Sequence, residues 1–433
     1  MISQFHHAAR SRPGVTIASD EWVRHMLPER HALFSGRPTP FSLTPYLIPA
    51  TYFLRLRRIC ENLAEIMEEA GHVILQDETL IDLYRFPPFF LEMLRVNPGY
   101  DRLAPVLRLD GHFVRGVFRI VETNADGSAG MNDSNTIERS AAETPIFEFF
   151  RTRASLRSCE MLTPLARMLL RHSCAAQRRG LSGRIAILDI PGVSTESEFL
   201  AVKYHVERLG GKAGIVAPRD LAFHQSSLTA NGRAIGVVYR RLVTRDAWEC
   251  WDALKPLVDA CARGRVRLVG SFRSEILHNK ALLAALNDPR LLCRFPPAAR
   301  RLLTDHIPRA FILTPDAAKR AAQTKDRWVL KPLDAYGSRD VSIGRNVSRS
   351  KWKRILTGAV NSRRFLLQEY VPAHLEPVLR VVDGKMSVAH EMTSVGFFLY
   401  DGKMAGPYVR SGPVHPLSIS RGAVTRPGFV ITP

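Results

Sequence analysis

The sequence predicts a mixed α/β chain that carries a small doubly wound unit. Three segments support this: a βαβ pattern from Ile185 to Val216, a β-hairpin from Val106 to Asn124, and alternating helices and strands from about Ser271 onward. At 433 residues the chain is long enough for two or three domains. The apolar share of 45% and the charged share of 24% are those of an ordinary globular protein and exclude wholesale disorder.

Residues 1–101 read as a mostly helical segment. The pattern from Glu21 to about Pro98 is helical and is clearest from Thr51 to Gly71, where Gly71 is expected to stop the helix. Residues 102–183 hold the hairpin, read as strand, tight turn at Asp110-Gly111 and strand again, followed by a basic helical stretch. Residues 184–270 form the doubly wound unit. Its strand Ile185 to Ile190, helix Glu196 to Leu209 and strand Ala213 to Val216 are joined by further strands at Ile235 to Val243 and Val266 to Val269, with helical residues Asp246 to Ala262 between these two. Residues 271–433 alternate helices and strands, and Ser418 to Pro433 read as loop.

The net charge of +20 comes largely from arginine, and no lysine precedes Lys203. Arg151, Arg153, Arg157, Arg167, Arg171, Arg178 and Arg179 fit one basic amphipathic helix, which reads first as a solvated face and second as a nucleic-acid or other polyanion surface. No apolar run approaches a membrane span, and Met1 to Arg12 lack the apolar core of a secretory signal, so a cytoplasmic location is expected. Six scattered cysteines without a Cys-x-x-Cys pair argue against a zinc ribbon or a disulfide framework.

The chemistry-bearing residues start with Glu122-Thr123-Asn124. A carboxylate and a carboxamide two apart on a strand face the same way, and Asp110 adds a third hard oxygen donor, a plausible seat for Mg²⁺ beside nucleotide phosphates. Lys280 precedes an amphipathic helix and Lys331 ends the strand Trp328 to Pro332; two such cations could neutralise a triphosphate. The segment Asp334 to Ser338, with Tyr336, Gly337 and Ser338, reads as a plain hairpin turn or as a loop closing over phosphates. Gln368, Glu369, Tyr370 and Val371 form a strand end whose backbone could pair with an adenine edge. Arg410 reads first as an exposed structural arginine and second as a carboxylate clamp.

Together Val329-Leu330-Lys331-Pro332, Tyr336-Gly337-Ser338, Gln368-Glu369-Tyr370-Val371 and Glu122-Thr123-Asn124 resemble motifs of the ATP-grasp superfamily. Their order, with the metal motif about two hundred residues ahead of the lysine strand, resembles the circularly permuted group typified by the synthetase domain of glutathionylspermidine synthase. The likeness runs from about Arg102 to Val430; the residues before it read as a helical segment and not as that enzyme's amidase domain. It implies an ATP-grasp fold with the doubly wound unit inserted, an ATP-dependent carboxylate–amine ligase, ATP and two Mg²⁺ ions as cofactors, and a small-molecule or peptide acid plus an amine as substrates. It further implies Mg²⁺ on Asp110, Glu122 and Asn124, ATP phosphates on Lys280 and Lys331, and Arg108 at the acyl-phosphate transition state. Gly127-Ser128-Ala129-Gly130 stands where that group has threonine and proline, so glutathione and spermidine are not expected as substrates. A phosphotransferase, or a basic nucleic-acid binder with a relic site, are the competing expectations.

Overall fold

The computed structural model describes residues 1–335 and 340–432. Its largest sheet is antiparallel. Val424–Arg426, Lys403–Gly412, Lys385–Tyr400, Val106–Val114 and Val117–Asn124 lie side by side in that order, and His374–Val382 pairs with the half of Lys385–Tyr400 that runs past the hairpin. The hairpin runs straight through Asp110-Gly111, where the register shifts, and turns instead at Arg115-Gly116. Both turn residues have positive φ, 49° and 78°, the twist a two-residue hairpin needs.

A second antiparallel sheet orders Ala310–Ile312, Phe365–Glu369, Trp328–Pro332 and Ser342–Ile343. Its helices Pro315–Gln323 and Arg349–Ser362 close a separate apolar cluster around Trp352, Leu330 and Leu367. The expected parallel sheet is present: Arg267–Val269, Val237–Arg240, Ile185–Leu188 and Ala213–Val216 pair parallel in that order. The chain first winds toward Ala213–Val216 and then returns on the other side of Ile185–Leu188. The strand order therefore reverses between Ile185–Leu188 and Val237–Arg240, and ligands in such sheets bind at that crevice. An antiparallel meander, Leu221–His224, Ser227–Ala230 and Arg233–Ile235, separates the two halves and was not anticipated.

The structure corrects other expectations. Ala50–Gln76 is one helix, and Gly71 lies inside it because a Cβ there would come within 2.6 Å of Leu103 and 2.7 Å of Leu277. Close packing, not termination, explains the glycine. Phe53, Leu56, Cys60, Leu63, Met67 and Ile74 form its buried stripe and carry the main core beneath the hairpin. The basic run is not one helix: Arg151 ends a four-residue turn, Arg157 sits on the strand Ser155–Ser158, and the helix proper is Leu162–Gln177. Ser418 to Pro433 are not simply loop. Val424–Arg426 joins the large sheet, and Gly428–Thr432 pairs with Tyr46–Pro49 and Ser155–Ser158. Among the described residues no helix is long and apolar enough to cross a membrane.

A buried ion pair docks the loop after the hairpin onto the parallel sheet. Asp126 accepts from the fully buried Arg240 and, at 2.6 Å, from the Thr244 amide. Removing one partner of such a pair leaves an uncompensated buried charge. Asp126→Ala is therefore expected to cost about 3–5 kcal/mol in chemical denaturation, whereas Asp20→Ala, whose partner Arg24 is half exposed, should cost about 1 kcal/mol or less.

Candidate active site

Strand alternation puts Arg108, Asp110 and His112 on one face of the large sheet, and pairing brings Glu122 opposite Asp110 and Asn124 opposite Arg108. Gly396 lies opposite Asp110 on the other neighbour, and Tyr408 opposite Gly396. This face forms one wall of a cleft. The second sheet supplies Lys331, Gln368 and Glu369, and Lys280, Ala335, His415 and Ser418 complete the lining. Val371 also reaches it, whereas Tyr370 lines a neighbouring groove behind the strand. The predicted residues Tyr336, Gly337 and Ser338 lie outside the described residues.

Two lysines cross from the second sheet's side to the hairpin. Lys331 donates to the Val121 carbonyl at 2.8 Å, beside Gln368, which donates to the same oxygen at 3.2 Å. Lys280 pairs with Glu122 at 3.0 Å and donates to the Ala335 carbonyl at 2.6 Å. Burial alone would raise the Glu122 carboxyl, but Lys280 and then Lys331 pull it down to about 2. Burial lowers the Lys331 ammonium to about 8 against the attraction of Glu122. Lys331 is thus a cation at neutral pH that is poorly solvated, the state in which it gains most from an anionic ligand.

Asp110 is 2% exposed, and both its oxygens are engaged. Arg108 grips it with two prongs, at 2.7 and 2.9 Å, while Arg410 and Asn124 donate to Oδ2 at 2.9 and 3.1 Å. Arg108 also donates to the Ala129 carbonyl and stacks against Phe398 and Tyr408. Arg410 is therefore no exposed structural arginine: it lines the cleft wall with its side chain 15% accessible, and its Nε is buried with no partner among the described residues. Two histidines, absent from the sequence-based site, stand at the other end. His112 and His415 meet at 3.3 Å, and burial depresses both, to about 4 and about 3, so they are neutral at pH 7.

A second cleft adjoins the first and shares Arg108, Asn124, Arg410 and Ser418 with it. Its floor is Gly127 to Gly130, and its far side is Ser194, Thr195 and Val243. Those residues follow Ile185–Leu188 and Val237–Arg240, so the cleft opens at the reversal point of the parallel sheet. Asp133, Glu198 and Tyr408 also line it. Asp133 was not among the sequence-predicted site residues, because it reaches the cleft through packing between distant segments.

The chain shares the fold of a glutathione synthetase-like effector from Globodera pallida, solved in its apo form, with a TM-score of 0.65 at 13% identity over 96% of this chain and 97% of that one. Similarity to a putative gamma-glutamylcysteine synthetase from Methylobacillus flagellatus is looser, with a TM-score of 0.43 at 10% identity over 86% and 87%. A RimK domain ATP-grasp protein from Sphaerobacter thermophilus gives a TM-score of 0.27 at 18% identity over 55% of this chain and 94% of that one. No family model and no curated protein matches the sequence.

The Asp110 carboxylate fits only because Gly396 lies opposite it: a Cβ there would come within 2.3 Å of Oδ1 and 3.0 Å of Arg108. Gly396→Ala should lower stability by about 1–3 kcal/mol, and it should do so less in an Asp110→Ala background, since the clash and the carboxylate are one effect. Additive losses in that double-mutant cycle would show that Gly396 serves something else.

Proposed function

We infer that the protein is an ATP-dependent carboxylate–amine ligase of the circularly permuted ATP-grasp kind, forming an amide through an acyl phosphate with release of ADP and phosphate. One observation carries this reading: two buried lysines on separate segments converge on the acid wall of the hairpin, on a fold shared with a glutathione synthetase-like protein. That is the charge pattern a nucleoside triphosphate needs, cations for its phosphates and oxygen donors for its metal.

The donor chemistry fits Mg²⁺. Among the described residues, Glu122 Oε2 and Asn124 Oδ1 have no hydrogen-bond partner, and both belong to cleft-lining side chains. Glu122 and Asn124 would hold the ion, and Asp110 would complete the set by giving up a guanidinium contact. When bound, the ion would screen the phosphates during transfer.

The chain's own residues do the rest. Lys280 and Lys331 would neutralise the phosphates, and the strand end Gln368 to Val371 would seat the base. Arg108 and Arg410, both fixed on Asp110, stand where the two clefts meet, so a substrate carboxylate held there faces the nucleotide side. Positioning and charge neutralisation account for most of the rate in such transfers. The acid and amine would lie in the second cleft, whose glycine-bearing floor differs from that of the glutathionylspermidine synthetase group.

Four outcomes test the reading. Mg·ATP should raise the melting temperature, corresponding to about 2.7 kcal/mol at a hundredfold excess over Kd, and Lys331→Gln should abolish most of that shift. Glu122→Gln should lower kcat at saturating Mg·ATP by at least the roughly 10- to 100-fold that loss of an outer-shell partner costs a metal site. Incubation with ATP, Mg²⁺ and pooled amino acids, short peptides and polyamines should yield a new amide by mass spectrometry, with ADP in the same tube; AMP and pyrophosphate would overturn the acyl-phosphate route. Arg108→Lys should not rescue Arg108→Ala, because an ammonium cannot reproduce the two-pronged grip on Asp110.

A further inference from the structure

The second cleft is lined by three carboxylates, and two of them are committed to structure. Asp126 holds Arg240 and the Thr244 amide. Glu198 accepts from the Gly130 and Asn132 amides at 2.9 and 3.1 Å and from Arg241 at 3.2 Å. Asp133 differs: it sits in the first turn of helix Met131–Ala142, is partly exposed to the cleft, and among the described residues has no cation at salt-bridge distance. The groups that face it are Glu198 from the neighbouring helix, the Tyr408 phenol from the large sheet, the Thr39 hydroxyl from the N-terminal segment and, beyond Tyr408, Arg410 and Arg108. A carboxylate with no cation of its own, in the same cleft as two arginines, is matched to a ligand that brings a positive charge of its own.

We propose that Asp133 receives the ammonium group of the acceptor amine and takes the proton that must leave before the nitrogen can attack. This rests on the ligase reading above and assigns the base that reading lacks. The step balances. The ammonium gives one proton to the Asp133 carboxylate. The freed lone pair forms the C–N bond with the acyl phosphate, the C–O bond to phosphate breaks with its electron pair, and the nitrogen's second departing proton leaves with phosphate. Burial, and then the charge of Glu198, raise the Asp133 carboxyl to about 7. A base with that affinity is ionised enough to act near neutral pH and basic enough to accept, the range in which general bases contribute about 10²–10⁴-fold.

The test compares Asp133→Asn and Asp133→Glu with the wild type, using ATP, Mg²⁺ and the pooled amino acids, short peptides and polyamines, with and without hydroxylamine. Hydroxylamine is unprotonated at pH 7 and needs no base. In Asp133→Asn, amide formation should fall at least a hundredfold more than hydroxamate formation, and the rise in amide rate through about pH 7 should disappear. Asp133→Glu should recover part of both. Equal losses with the two acceptors, or wild-type amide formation in Asp133→Asn, would overturn the assignment while leaving the ligase reading intact, and an Asp133→Asn protein that no longer binds Mg·ATP by thermal shift would make the residue structural. A wild-type protein that makes neither hydroxamate nor amide would remove the ligase reading and this assignment with it.

Discussion

The structure depends on a carboxylate buried in the middle of a sheet. Asp110 lies on a central strand, 2% exposed, where an isolated charge would be driven to protonate or unfold the segment. It is sustained by two guanidiniums and a carboxamide, each fixed by something else: Arg108 by Ala129 and two aromatic faces, Arg410 by Tyr408, Asn124 by its place in the hairpin. Gly396 leaves the space. The same node holds Arg108 and Arg410 where the two clefts meet, so the interaction that makes the sheet tolerable also fixes the cations that line both clefts.

A second constraint joins the two antiparallel sheets. Lys331 and Gln368 both reach the single carbonyl of Val121, and Lys280 spans from Glu122 to Ala335. A lysine that already donates to a carbonyl can bind a phosphate oxygen only by exchanging or sharing hydrogen bonds. Ligand affinity and the spacing of the two sheets are then one equilibrium, and binding is expected to tighten or loosen the clasp instead of leaving it unmoved.

How far the sequence was legible follows from the range of the interactions involved. The parallel sheet was readable because Ile185–Leu188 and Ala213–Val216 are short apolar runs around an amphipathic helix, all local signals. Glu122 and Asn124 sharing a face followed from strand periodicity alone. The hairpin turn was misplaced because Asp110-Gly111 is a stronger turn dipeptide than Arg115-Gly116, yet the tertiary demand for a carboxylate on a central strand prevailed. Gly71 misled for the same reason, since a helix can carry a glycine where another segment crosses closely. The C-terminal strand Gly428–Thr432 was missed because its partners, Tyr46–Pro49 and Ser155–Ser158, lie hundreds of residues away, and Val424–Arg426 because it is only three residues long, although it pairs with the nearby Lys403–Gly412. His415 and Asp133 reach their clefts through packing between distant segments, and the burial of Arg410 against Asp110 depends on the pairing of strands three hundred residues apart in the chain.

The two clefts divide the chemistry by how their charges are satisfied. In the first, Lys280 pairs with Glu122, Arg108 and Arg410 with Asp110, and Lys331 with the Val121 carbonyl, so a ligand that engages these groups trades with existing partners. In the second, Asp126 and Glu198 are held by Arg240 and Arg241, the consecutive arginines that end and follow the strand Val237–Arg240. Those two arginines face opposite sides of that strand, and each satisfies one acid reaching it from a different segment. Among the described residues no third arginine pairs with Asp133. Among the described residues that leaves one carboxylate without a built-in cation in the cleft that Arg108 and Arg410 also line, and on the proposed ligase reading this asymmetry would hold an acid and an amine in one orientation.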